Sequence, residues 1–491
     1  MTPEPLAGEN RQPLSGLDRA SAPLNALRAA GVALDFAGPA DLTVRLREAI
    51  VDGRLADGAK LPSARALAGA LGLSRNAVAD CYAQLAREHL VSARHGSGTF
   101  VAAPAEARAR GRPRVREDVD WLRARHPSNG HEAHIDGIDL RLRAGTLAPL
   151  ASDAWRRAWR HATATIAPTY GDPQGPRPVR EAIAEHVRVT RGVACLAGDV
   201  VVTSGASDAL ALLLRATMSP GDGLAAENPG YRGVTRLAAV HGIRLHPLAV
   251  DEHGADVAAL AEADPLVVHV TPSHQFPTGA ELSPDRRAAL LAWAQRRGAL
   301  VIENDYDGEF RFDGAVAAPL TAADTSGTVC LVGTFSRLIT PSLRVGYIVA
   351  TPALAERVAA LKRALDAHPS LPAQHAVAQL IRSGELARHL RRVRALATHK
   401  RALLRAALGG LDGVTVHGID GGLHVLVRGE RPAADVAACL RARGVHVDVL
   451  AEHCWAPVGD DGLLLDYGRV TPAAFERALA LIAAELSRGL N

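Results

Sequence analysis

Gly333-Thr334-Phe335-Ser336-Arg337 follows the apolar run Cys330-Leu331-Val332 and precedes Pro341-Ser342-Leu343-Arg344-Val345-Gly346-Tyr347. Arg337 cannot form an imine, because a guanidinium stays protonated and delocalised at any working pH. It can hold an anion. A second anion-binding feature is Ser204-Gly205-Ala206, which lies between an apolar run and a helical stretch. Backbone amides at a helix start can hold a phosphate. Arg469, in Leu465-Asp466-Tyr467-Gly468-Arg469, could grip a carboxylate in bidentate fashion or form a buried ion pair with Asp466. Amines are scarce: the only lysines are Lys60, Lys362 and Lys400, among 56 basic side chains. The five cysteines, Cys81, Cys195, Cys330, Cys439 and Cys454, are scattered without metal-type pairing, and no metal is expected.

These groups need a large framework. At 491 residues the expectation is about three domains. With 48% hydrophobic and 22% charged residues, the composition is that of a globular protein with sizeable cores. No run of about 18 uncharged apolar residues suggests a spanning helix. The polar, Pro-rich start and the scattered cysteines point to the cytoplasm. A net charge of +4 is too small to decide nucleic-acid binding.

The pattern divides the chain. Residues 1–37 read as a mobile tail and 38–102 as a compact unit. In that unit Leu42, Leu46, Ala49 and Ile50 recur at helical spacing. Ser63 and Ser74 suit the N-caps of a second and a third helix. Val78, Tyr82 and Leu85 form one apolar face, and two short strands flank Arg94-His95-Gly96-Ser97. Residues 103–136, with five arginines between Arg108 and Arg116, read as a charged tether. From 137 to 384 short apolar runs alternate with helical stretches, which predicts a mostly parallel sheet covered on both faces. Residues 385–491 read as a smaller α+β domain.

The 38–102 segment resembles the winged helix-turn-helix of GntR-type regulators. The matching words are Leu46-Arg47-Glu48-Ala49-Ile50, Gly53-Arg54-Leu55, Leu61-Pro62-Ser63-Ala64-Arg65, Leu73-Ser74-Arg75-Asn76-Ala77-Val78 and Gly96-Ser97-Gly98-Thr99-Phe100-Val101. The resemblance implies a double-stranded DNA operator as partner. Ser74, Arg75 and Asn76 would open the recognition helix, Arg65 would meet a phosphate or a guanine edge, and Arg94 and His95 would reach DNA from the wing tip.

The remainder resembles the aminotransferase-like body of the MocR subfamily of those regulators, a fold-type I, pyridoxal-phosphate-dependent transferase-like α/β architecture. The words are Tyr170-Gly171-Asp172-Pro173, Asn228-Pro229-Gly230-Tyr231, Thr271-Pro272-Ser273-His274-Gln275-Phe276-Pro277-Thr278-Gly279 and the segment around Arg337. The resemblance implies a pyridoxal 5'-phosphate site. Ser204, Gly205, Ala206, Thr334 and Arg344 would hold the phosphate, Tyr231 would meet the ring, and Tyr306 the phenolic oxygen. His274 and Ser336 fall within the site, and Arg469 would take an effector carboxylate. Two positions depart from the family. Arg337 stands where the family has its Schiff-base lysine. Asn304 stands where it has the aspartate that pairs with the pyridine nitrogen, and a neutral amide cannot hold that proton as a carboxylate does. Asp305 is one residue away, which on a strand points it to the other face.

The resulting expectation is a homodimeric transcriptional regulator, away from the membrane, with a catalytically inactive sensor body for a small anionic metabolite. Any pyridoxal phosphate would bind non-covalently. Arg337 would hold an anionic effector, or fill the pocket and pair with Asp305 or another acid. The alternatives are a pyridoxal-phosphate enzyme with an appended head and a body that only dimerises. The enzyme would need Lys362 or Lys400 to reach the aldehyde, whereas both read as solvent-facing helix charges.

Overall fold

The computed structural model describes residues 38–94, 96–102, 136–143, 150–164, 169–312 and 318–489, together with positions 25, 27, 30 and 32. It divides into two compact units, Met1–Asp118 and Val119–Asn491.

In the first unit, apolar spacing and hydroxyl caps produce three helices, α1 (Pro39–Val51), α2 (Ala64–Leu71) and α3 (Arg75–Arg87). Ser63 Oγ accepts from the Ala66 amide at 3.2 Å and Ser74 Oγ from the Ala77 amide at 3.1 Å. Each bond satisfies an amide that has no partner within its helix. Gly72 ends α2 at φ 68, a left-handed turn that glycine adopts without strain. Leu42, Leu46, Ala49, Ile50, Val78, Tyr82 and Leu85 are all buried in one core. β1 (Val91–Arg94) and β2 (Gly98–Val101) pair antiparallel as the wing. Leu27 and Val32, in the stretch read as tail, are buried in the same core, so apolar contact there outweighs the polar composition around them.

The second unit is built on an eight-stranded sheet. In chain order its strands are β4 (Val200–Thr203), β5 (Gly223–Asn228), β6 (Arg244–Asp251), β7 (Gly254–Ala255), β8 (Val267–Val270), β9 (Leu300–Asn304), β10 (Val329–Thr334) and β11 (Gly346–Val349). The spatial order is β4-β11-β10-β9-β8-β5-β6-β7. The five strands from β10 to β6 run parallel, while β11 pairs antiparallel with both β10 and β4. Helices cover both faces. Cys330 and Val332 pack on one side with α6 (Ala206–Thr217) and α7 (Arg232–His241); Leu331 packs on the other with α5 (Arg177–Arg191), which follows α4 (Ser152–Thr163). That double burial is why the strands read as unbroken apolar runs.

A four-stranded antiparallel sheet carries the smaller domain: β12 (Thr415–His417), β13 (His424–Arg428), β16 (Leu463–Asp466) and β15 (Asp448–Val449), in that order. The two-residue strand β3 (Ile138–Asp139) pairs with β14 (Val445–His446). The start of the body is thereby tied to this later segment: the Ile138 amide donates to Gly444 O and the Leu140 amide to His446 O, both at 2.8 Å.

Candidate functional site

The C-terminal ends of the central strands open onto a cavity of about 680 Å³. Ligands of open α/β sheets bind at such ends. Of the residues expected at a cofactor, Ala206, Tyr231, Asn304, Tyr306, Thr334, Ser336, Arg337 and Arg344 line this one space. Gly205 lies behind the wall: at φ 96 it starts α6, and a Cβ there would come within 3.2 Å of Arg344 Nη1. Ser204 does not line the cavity, and its amide is bonded to Asp208 Oδ2 at 2.7 Å. Ser207 is on the cavity wall, with its Oγ 3.1 Å from Tyr231 Oη. Arg344 is exposed and has no hydrogen-bond partner among the described residues.

Ring-facing groups are also assembled. Phe276 meets Tyr231 and Tyr306 edge to face, at 5.9 and 5.7 Å between ring centroids. Asn304, at the end of β9, points its Nδ2 at His269 Nε2, 3.4 Å away on the neighbouring strand. Burial pushes the His269 imidazole down to about 4, so the ring is neutral. With Asn304 Nδ2 as the donor, Nε2 accepts, and Asn304 Oδ1 is buried without a hydrogen-bond partner. Asp305 does point the other way. It pairs with Arg191 through Oδ2 at 2.5 Å and Oδ1 at 3.0 Å.

Arg337 is buried and fully committed on one side. Its Nη1 donates to Asp466 Oδ2 at 2.6 Å and to the Arg143 carbonyl. Asp466 is 1% exposed and its Oδ1 also accepts from the Gly468 amide at 2.7 Å. Burial disfavours the Arg337 charge, but Asp466 and more weakly Asp307 offset it, so the guanidinium is held above its ordinary range. Of the two fates open to Arg337, the structure takes the ion pair, and the acid is Asp466 rather than Asp305. The pair joins the segment just after β10 to the end of β16.

Comparison with known proteins follows this geometry. Residues 40–101 match the family Bacterial regulatory proteins, gntR family, and residues 139–485 match Aminotransferase class I and II. The chain is 36% identical to the HTH-type pyridoxine biosynthesis transcriptional regulator PdxR of Corynebacterium glutamicum, over 92% of this chain and 96% of that one. The chain belongs to the MocR-type regulators of the GntR family. It is also 31% identical to the probable rhizopine catabolism regulatory protein MocR of Rhizobium meliloti, over 91% of this chain and 94% of that one. The body has the aminotransferase fold. The kynurenine aminotransferase of Pyrococcus horikoshii superposes with a TM-score of 0.65 at 23% identity, covering 72% of this chain and 92% of that structure.

As a GntR regulator the chain binds DNA through its first unit. Arg65, Arg75, Asn76 and Arg94 are exposed there, and Ser74 is the cap of α3. Arg65 and Arg75 have no ion pair among the described residues, and Arg94 lies over the Phe100 ring at 4.7 Å. His95 falls outside the described residues.

Both body lysines are buried, not solvent-facing. Lys362 Nζ donates to Val202 O at 2.8 Å and Lys400 Nζ to Tyr467 O at 2.7 Å. Each amine caps a carbonyl of the core, and neither lines the cavity. Arg469 is half-buried and likewise absent from the cavity wall, which Asp466, the last residue of β16, does line.

Sequence reasoning missed other wall residues. Arg141, Arg143, Arg232, Arg236 and Arg441 make the wall strongly cationic. They come from β3's flank, α7 and the helix Ala433–Ala442, and no motif links them. Asp466 carried a signal: an acid at the end of Leu463-Leu464-Leu465, followed by Tyr467, would be buried and would need a cation. His274, Asp307 and His424 also converge, with one ligand atom from each inside 4.8 Å of the others.

Proposed function

We propose that the body is a sensor for a small anionic metabolite that binds without a Schiff base and changes how the DNA-binding unit engages its operator. The observation that carries this reading is the buried Arg337–Asp466 ion pair, at 2.6 Å, in the position where the family places its reactive lysine. Pyridoxal phosphate, when bound, supplies an aldehyde and an electron-withdrawing ring. The residues fit its phosphate and its ring faces: the start of α6, Thr334 and Arg344 form one end, and Tyr231, Phe276 and Tyr306 flank the middle. They do not fit covalent attachment, since no lysine lines the cavity. Asn304 offers a neutral carbonyl oxygen where a carboxylate would hold a pyridinium. Both differences favour binding over transamination.

In this reading residues 103–136 tether head to body, and two chains form a homodimer that presents two heads to two half-sites. Tyr170, 88% exposed in the single chain, is a large side chain that a second copy would cover. The test is titration with pyridoxal phosphate, followed by borohydride reduction and peptide mapping. The expected result is saturable binding with no lysine adduct. A reduced adduct at Lys362 or Lys400 would overturn the reading.

A further inference from the structure

We propose that His274, Asp307 and His424 form a site for a first-row divalent metal ion, zinc by preference, whose open coordination position faces the effector cavity. The three side chains are each no more than 2% exposed and come from three separate segments, 271–279, 304–310 and β13. His274 Nδ1 stands 3.3 Å from Asp307 Oδ2. Two donors on one tetrahedral ion, each about 2.0–2.2 Å from it, lie roughly 3.3–3.6 Å apart, so this edge is already at metal-binding length.

The histidines are oriented as ligands. His274 Nε2 faces Gly418 O at 3.1 Å, which leaves Nδ1 turned toward the carboxylate. His424 Nε2 is buried without a hydrogen-bond partner. A backbone carbonyl on the far nitrogen is the usual way a metal-bound imidazole is fixed in tautomer and direction. Asp307 Oδ2 is likewise buried with no hydrogen bond. Two orphaned polar atoms on one buried cluster are costly unless something satisfies them. The backbone closes the outer side: at Gly422 a Cβ would lie 2.4 Å from His274 Nδ1 and 2.5 Å from Asp307 Oδ2. The inner side lies toward the cavity, whose wall includes His424 and Tyr306.

The charges around the cluster permit a cation. Arg337 is near Asp307, but Asp466 pairs with it. Tyr306 Oη lies 3.2 Å from His274 Nδ1 and also bonds the His274 carbonyl at 3.0 Å. Three protein ligands with a free fourth position are the arrangement of a site that exchanges its last ligand. That an effector oxygen takes this position rests on the sensor reading above; the metal itself does not.

The experiment uses the full chain, first assayed for bound metal as purified, then stripped with a chelator and titrated with zinc against a chromophoric competitor. Cobalt(II) is titrated in parallel for its visible spectrum. One ion per chain is expected, with the bands of a four-coordinate cobalt site. Asp307→Asn and His424→Gln should each weaken binding at least about tenfold. No stoichiometric binding, or affinity unchanged from wild type in both variants, overturns the site. If neither variant folds, the wild-type cobalt spectrum decides, since six-coordinate weak bands would equally overturn it. Pyridoxal phosphate should shift the cobalt bands. Unshifted bands with retained metal would refute the effector contact alone.

Discussion

Arg337 could be read from sequence as a side chain unable to form an imine, but its partner could not. The acid it meets is 129 positions away, and sequence reasoning had placed Asp466 with Arg469. Only the fold brings that carboxylate, at the end of β16, to Arg337 just after β10. Breaking a buried pair leaves one charge unmatched, which costs about 3–5 kcal/mol, whereas replacing both members by apolar groups is often neutral. Asp466→Asn should therefore lower the stability of the body by about that amount in urea unfolding, and Arg337→Leu with Asp466→Leu should recover most of it. Equal losses in the two proteins would show that the pair contributes little. A related outcome concerns chemistry. Arg337→Lys alone should stay colourless with pyridoxal phosphate, because Asp466 would hold the ammonium. Adding Asp466→Asn and Asn304→Asp should give a yellow, borohydride-reducible imine.

At the scale of elements, caps and strand runs were legible because their causes are local. Ser63, Ser74 and the apolar face of α3 sit where the spacing put them. The strand β3 was not legible: two residues carry no period, and its partner lies some 300 positions on. Nor did the helix pattern show that Lys400 turns inward, since its amine satisfies a carbonyl contributed by another element. Burial lowers that amine from 10.5 to about 8. Between those values the unfolded chain binds the proton and the folded one has released it, so stability rises with pH. Wild type should gain on Lys400→Met as pH goes from about 8 to 10.5, measured by thermal melting; parallel curves would contradict the shift. On α3 and α2, Arg75→Ala and Arg65→Ala should each weaken operator binding, by about 1–3 kcal/mol for a base contact. If the contact is to phosphate, the salt slope should fall by about one unit instead. Unchanged binding in both would move the DNA face elsewhere.

For the whole molecule, the order of a DNA-reading head before an aminotransferase-fold body was plain from its words, and family membership bears it out. The pocket's cationic wall was not, because its arginines are gathered from distant segments only once the two sheets are in place. If two copies assemble as proposed, sedimentation should give twice the chain mass, and Tyr170→Asp should shift the equilibrium toward single chains. The Arg337–Asp466 bond has one further consequence. Asp466 is a tethered competitor for any carboxylate that approaches Arg337, present at an effective concentration on the order of millimolar or higher. A metabolite that offers one carboxylate cannot win that exchange at micromolar levels. It must bring other anchors, to Arg344 and the start of α6 or to the wall arginines, before the internal carboxylate lets go. Occupancy of the pocket and separation of β16 from β10 would then be one event, set by a threshold in the number of contacts a molecule can make.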